Sequence, residues 1–286
     1  MSAEFDVASV ERGVLATRFE GRVRHFESVD STNELALIAA RAGAKWGVWV
    51  ADEQTAGRGR GGHDWHSVRG DGLYFSALVT PEIPIGYARD LPIAAGLAVL
   101  AAVLETTGLR LDLRWPNDLM FGDRKCGGIL VESASEPPPA NWREEAGQAL
   151  RYAVVGIGLN VGHRSFPPQL SRVATSLYLE SERDYEREGV LGAILRYLDD
   201  EVKRMSREWR GMHNGPSLYA RFSAGSSWVS GKRVSVEEGG GYTGWTRGLD
   251  AKGFLLVEDD QGVMRTVLSG GVRSLPGTKD NDAARN

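Results

Sequence analysis

The chain has 286 residues, 42% hydrophobic and 25% charged, with a formal net charge of -4 and one cysteine, Cys126. This length suits one large domain with a smaller companion around a sizeable core, and the composition excludes wholesale disorder. The acidic balance excludes a generic pull toward nucleic acid or an anionic membrane, while a lone cysteine has no internal disulfide partner and fits a reducing cytoplasm.

In chain order, residues 1–21 read as a polar leader. No basic start followed by an apolar run is present, so no signal peptide is expected. "SVDSTNELALIAARAG" reads as a turn entering a helix, with Ser31 and Glu34 spaced as a capping box. Strands are predicted at 46–52, 72–80, 111–116, 127–133 and 152–161. "IAAGLAVLAAVL", from Ile93 to Leu104, falls short of a membrane span and reads as a buried helix, with Asp90 and Pro92 at its start. The proline-rich stretch after Ser133 suggests an exposed hairpin excursion. Leu191, Leu195, Leu198, Val202, Met205 and Trp209 form one apolar stripe on a helix that is too short for a coiled coil. Beyond Ser227, glycine-punctuated short strands predict a small barrel, and the chain from Gly277 reads as a frayed tail.

The segment "EQTAGRGRGGHDW" contains Gly57, Gly59 and Gly62 at the spacing of a dinucleotide fingerprint. Such a fingerprint must open a helix and be followed about 20 residues on by an acidic residue. Glycines and then a strand pattern follow instead, and no Gly-Lys-Ser/Thr supports a Walker loop. Glycines let backbone N–H groups approach an anion closely, and Arg58 and Arg60 add fixed charge, so the segment suits a polyanion such as a nucleotide phosphate. In "RWPNDLMFGDRKCGGILVE", proline holds Trp115 extended and leaves Asn117 and Asp118 where the strand ends and the chain turns. Lys125, before Gly127 and Gly128, could return to the same mouth. His63, His66 and Cys126 make no compact zinc set, and His25, His163 and His213 offer no constellation.

Taken in order, "DSTNE", "EQTAGRGRGGHDW", "RWPNDLMFGDRKCGGILVE" and "VVGIGLNV", followed by a small barrel, resemble the biotin protein ligase family, from Val29 to Leu275. The resemblance implies an α+β fold: a class II synthetase-like catalytic domain, with a mixed sheet and helices, over 22–222, then an SH3-like C-terminal barrel over 223–276 and a tail at 277–286. It implies activation of biotin by ATP to biotinyl-5'-AMP and transfer to one lysine of a biotin carboxyl carrier protein, with Mg2+ accompanying ATP. It leaves homodimerisation through the catalytic sheet open, and places the protein in the cytoplasm.

By the same resemblance, Ser31, Thr32 and Gln54 stand around the ureido head of biotin, and Asn33 belongs to the biotin-binding set. Gly59, Gly128 and Gly158 offer backbone close to the ligand. Lys125 stands at the carboxylate and α-phosphate, and Arg58 and Arg60 close the loop over biotin and the phosphates. His63, Trp65, Asn117 and Asn160 belong to the nucleotide side. Asp118 either holds magnesium indirectly or orients the incoming carrier lysine. Gly61 and His63 stand where basic residues often occur, and Arg114 replaces a common lysine, which predicts a modest penalty in ATP affinity. About 28 residues before "DSTN" are too few for a winged helix with its linker, against a DNA-binding repressor. A non-catalytic biotin sensor has no need of Lys125, Arg58 and Arg60. A lipoate ligase would leave the ureido-facing donors unpaired.

Overall fold

The computed structural model describes residues 4–142 and 147–275. A seven-stranded mixed sheet runs in the order β1-β2-β3-β7-β6-β5-β4. Strands β1 (Val23–Val29) and β2 (Gly47–Gln54) are parallel, joined by a crossover through α2 (Thr32–Arg41). The remaining neighbours are antiparallel: β3 (Gly72–Val79), β7 (Ala149–Asn160), β6 (Arg124–Glu136), β5 (Asp118–Phe121) and β4 (Asp112–Arg114). Strand β3 is buried along its whole length, which is why "GLYFSALV" reads as a continuous apolar run.

Helix α3 (Leu91–Thr107) and helix α5 (Arg187–Trp209) pack together on the sheet. The predicted α5 stripe points inward, with Leu191, Leu195, Leu198, Val202 and Met205 buried. The oily stretch predicted at 93–104 is part of a longer helical run. Ile85–Thr107 spans 23 residues, long and apolar enough by length and composition to cross a membrane. Here Ala94, Ala95, Ala98, Val99 and Ala102 lie in the core. Small alanine side chains let α5 approach closely.

Four expectations need correction. The N-terminal 21 residues contain a helix, α1 (Val7–Gly13), and Phe5, Val10, Val14 and Phe19 are buried. Val7, Val10 and Val14 keep a helical spacing, but over only two turns, too short a window for periodicity to stand out. Ser31 takes the N-cap position of α2 without a side-chain capping bond, so no capping box forms. Asp90 likewise makes no cap bond; it accepts a hydrogen bond from the Tyr219 hydroxyl at 2.8 Å instead. The strand predicted at 111–116 ends at Arg114, and 115–117 form a turn that contains a cis Trp115–Pro116 bond. The strands β6 and β7 form the expected hairpin. The tail from Gly277 lies outside the described residues.

After α6 (Leu218–Ala224) comes a five-stranded antiparallel sheet in the order β11-β10-β9-β8-β12. It comprises β8 (Ser230–Val236), β9 (Tyr242–Leu249), β10 (Leu255–Asp259), β11 (Met264–Val267) and β12 (Val272–Ser274). Hydrogen bonds fasten this segment to the seven-stranded sheet: Trp115 Nε1 to Gly253 O at 2.9 Å, Ser226 Oγ to Leu113 O at 2.5 Å, Ser227 N to Asp112 Oδ1 at 3.0 Å, and Ser227 Oγ to Asp112 Oδ2.

Candidate active site

The glycine-arginine loop follows β2. It folds back on itself through Gly59 N to His63 O at 2.7 Å and Trp65 N to Gly57 O at 2.9 Å. Gly61 sits at its tip with φ +71, a conformation that a side chain there would strain. This gives a physical reason for glycine where a basic residue is common. Arg58 and Arg60 make no ion pair among the described residues.

Under this loop lies a narrow cavity of about 50 Å³. One end is polar. Gln54 Oε1, at the end of β2, accepts from Thr32 N at 2.9 Å at the start of α2. Phe75, Ile129, Leu130 and Ile157 supply apolar wall. Trp65 reaches in from the loop, and Gly158 makes room for it: a Cβ at 158 would stand 2.5 Å from its indole ring. The indole Nε1 is buried without a hydrogen-bond partner among the described residues.

The other end is cationic. Antiparallel pairing of β5 with β6 brings Asp118 opposite Gly128, which returns Lys125 to the mouth. Lys125 Nζ lies 2.5 Å from Asp118 Oδ1 and 5.5 Å from the centroid of the Trp65 ring. Arg114 holds the other carboxylate oxygen of Asp118, at 2.6 and 3.0 Å. Burial would raise the Asp118 carboxyl, but Lys125 and then Arg114 outweigh it and hold it below the ordinary carboxylate range. The arginine that replaces a common lysine is therefore committed to Asp118.

Of the residues singled out from sequence, Ser31, Thr32, Asn33, Gln54, Arg58, Gly59, Arg60, Trp65, Asn117, Lys125, Gly128 and Gly158 all line this cavity. Asp118 stands just behind Lys125. Asn117 also donates to Ile129 O at 2.7 Å, tying the turn to β6. Two are not brought in. Asn160 is buried and donates to Thr175 O at 2.9 Å, and His63 stands exposed on the outer side of the loop. The apolar wall escaped sequence reading because strands buried on both faces carry no alternation that marks which side chain faces a ligand.

A second cavity, about 310 Å³, shares Arg60, Asn117, Ile129 and Leu130 with the first. Trp115, Arg89, Lys252, Phe254 and Leu268 are among its other lining residues, so both domains line it. A larger groove, about 1340 Å³, lies at the far end of the sheet beside Trp46, Trp142 and Trp209. Its Arg18, Lys203 and Arg210 are already paired with Asp199 and Glu82, so volume does not locate the chemistry.

The cavity thus combines a polar inner end at Thr32 and Gln54, an apolar wall and a cation, Lys125, at its mouth. The biotin/lipoate A/B protein ligase family model matches residues 25–140, and the biotin protein ligase C-terminal domain model matches residues 229–272. The bifunctional ligase/repressor BirA of Bacillus spizizenii is 32% identical over 240 residues, covering 83% of this chain and 69% of that protein. The biotin--[acetyl-CoA-carboxylase] ligase of Mycobacterium tuberculosis is 32% identical over 249 residues, covering 84% of each. The biotin protein ligase of Aquifex aeolicus, solved in complex with biotin and ATP, superposes with a TM-score of 0.69 at 29% identity, over 88% of this chain and 97% of that one.

Proposed function

The chain belongs to the biotin protein ligase family, and from that premise we propose how its own residues carry the reaction. The activity joins biotin to protein at the expense of ATP, through biotinyl-5'-AMP. The observation that carries the residue assignment is a slot with a hydrogen-bonding inner end and a lysine clamped at its mouth.

Biotin enters with its ureido head between Thr32 and Gln54 and its thiophane ring on the Phe75, Ile129 and Ile157 wall. The cavity is far smaller than the ~300 Å³ from which ligand pockets ordinarily start. Trp65 and the loop therefore lift from Gly158 as the ligand arrives and close over it, excluding water from the mixed anhydride. A carboxylate oxygen of biotin attacks the α-phosphorus of ATP. The bond to the bridging oxygen of the β-phosphate breaks, and pyrophosphate leaves with the electron pair. Two anions meet in this step, so cationic charge at the mouth is what it needs. Lys125 faces the developing charge, and Arg58 and Arg60 gather the phosphates.

Asp118 has both oxygens on cations and a lowered pKa, which makes it a weak base and a poor metal ligand. Its role here is to position Lys125. Magnesium then arrives as the counter-ion of the triphosphate, and no acidic cage of protein residues is needed. In the second step a lysine amine of the carrier attacks the acyl carbon, the C–O bond to phosphate breaks, AMP leaves and the amine gives up a proton. We assign the carrier to the biotin carboxyl carrier class and its approach to the second cavity, which the C-terminal barrel helps to build. The cytoplasm, with its ATP, is the compartment this chemistry suits.

The test is to incubate the protein with magnesium, ATP and either biotin or lipoate, quench, and look for the acyl-adenylates by mass spectrometry. Biotinyl-AMP that disappears on adding a biotin-acceptor domain is the expected result. Binding of biotin without any adenylate would overturn the assignment in favour of a sensor, and lipoyl-AMP alone would overturn the substrate.

A further inference from the structure

Behind Thr32 lies a chain of polar side chains that sequence reading did not connect. Ser76, wholly buried in the middle of β3, has its Oγ 2.8 Å from Thr32 Oγ1 and 2.5 Å from Asn33 Oδ1. Asn33 Nδ2 lies 2.8 Å from Glu132 Oε2 on β6. Thr32 and Asn33 are only 3% and 8% exposed, so water has little access to fill these bonds. We propose that Ser76, set by Asn33 and Glu132, is a positioning residue for the biotin head: it fixes the direction of the Thr32 hydroxyl, so that Thr32 meets the ligand only as an acceptor.

Counting protons gives the direction. A carboxylate has no proton to give, so the atom of Asn33 facing Glu132 is the amide nitrogen. The amide oxygen is thereby turned to Ser76, and the contact between them takes the serine proton. With that proton spent, the contact between Ser76 and Thr32 takes the threonine proton. Gln54 Oε1, 3.1 Å from the same hydroxyl, is the competing acceptor, but it accepts from Thr32 N at 2.9 Å in either case, whereas the shorter contact with Ser76 has no other proton to hold it. The lone pair left on Thr32 faces the slot and calls for a donor. A ureido group offers one on each nitrogen; a dithiolane offers none. An apolar ring in that place would leave the oriented hydroxyl unpaired, which is how buried polar groups reject a near relative. Glu132 is itself exposed. It needs no burial to act, because it only decides which way one amide is turned.

This inference rests on Thr32 meeting the ureido head, and steady-state adenylation by the full chain separates the two. Biotin and ATP are varied independently. Ser76→Ala is expected to raise the KM for biotin at least tenfold, with KM for ATP and kcat within about twofold. Glu132→Leu is expected to raise the same constant, and Glu132→Gln, whose amide oxygen can still accept from Asn33, to recover most of the loss. In a Thr32→Val background, Ser76→Ala is expected to add less than twofold. A biotin KM unmoved by Ser76→Ala, or an equal effect with and without the Thr32 hydroxyl, would overturn the inference while leaving the ligase assignment intact. If Ser76→Ala does not fold by circular dichroism, the surface pair Glu132→Leu and Glu132→Gln decides, and equal biotin KM values for those two would overturn it. Failure of the unaltered protein to form biotinyl-AMP would overturn both.

Discussion

Asp118→Asn separates positioning from base catalysis. The carboxylate lies 2.5 Å from Lys125 Nζ and 2.6 Å from Arg114, and its side chain is 14% exposed. The amide keeps the shape but leaves two cations facing each other without a counter-charge. Removing one member of a fully buried pair costs ~3–5 kcal/mol. Here the Lys125 and Arg114 side chains are 36% and 21% exposed, and solvent screening brings the cost to about 1–2 kcal/mol. Lys125 then loses its fixed place at the mouth of the cavity. Adenylation, followed by pyrophosphate exchange, should slow about 10- to 100-fold, equivalent to about 1.4–2.7 kcal/mol of transition-state stabilisation. Transfer is measured separately, by giving the variant preformed biotinyl-AMP and carrier. It should fall by no more than adenylation does. Adenylation near normal with transfer lost at least 100-fold would refute the positioning argument and make Asp118 the base that accepts the carrier's proton.

Three other outcomes follow from the geometry. Lys125→Ala should lower kcat for adenylation by about 10²–10³, the usual loss of one preorganised charge-stabilising group, while biotin binding by calorimetry persists; adenylate formation at the ordinary rate would remove Lys125 from the chemistry. Gly158→Ala places a Cβ 2.5 Å from the Trp65 ring and should shift Trp65 fluorescence and weaken biotin binding at least tenfold, with an unshifted spectrum and normal affinity as the contrary result. The third concerns His163, which is 1% exposed, with a pKa pushed down to about 4, chiefly by burial. The unfolded chain binds its proton near ~6.5 and the folded chain only near 4, so between them the unfolded state holds more protons. Stability from this residue is complete above that upper value and falls by up to about 3 kcal/mol as pH drops to 4. His163→Phe should flatten this part of a urea-melt profile between pH 7 and 4; an unchanged slope would show that His163 does not carry it.

What the sequence alone determined is local or ordered along the chain. Period-2 and period-3.6 patterning marks most of the strands and helices of the catalytic domain, because burial on one face or on both writes itself into neighbouring residues. The glycine-arginine loop is legible for the same reason: its closure, with Gly61 at φ +71, is a property of a few consecutive residues. Order also matters, since the loop, Trp-Pro-Asn-Asp and Lys125 identify the family only as a set.

The tertiary structure decided what depends on register and on chains brought together from afar. Asp118 acquires Lys125 through the pairing of β5 with β6, and its pKa falls because Lys125 and then Arg114, approaching its other oxygen, outweigh burial. Asn160 and His63 carry plausible chemistry in sequence, yet one is spent on Thr175 and the other stands outside the loop. Ser76 shows the same limit from the opposite direction. In sequence it is one serine in an apolar strand; its partners Thr32 and Asn33 are 44 and 43 residues away, and Glu132, which bonds Asn33, is 56 away. Hydrogen bonds and ion pairs act over about 3 Å, and no pattern along the chain reports which side chains folding will bring within that distance.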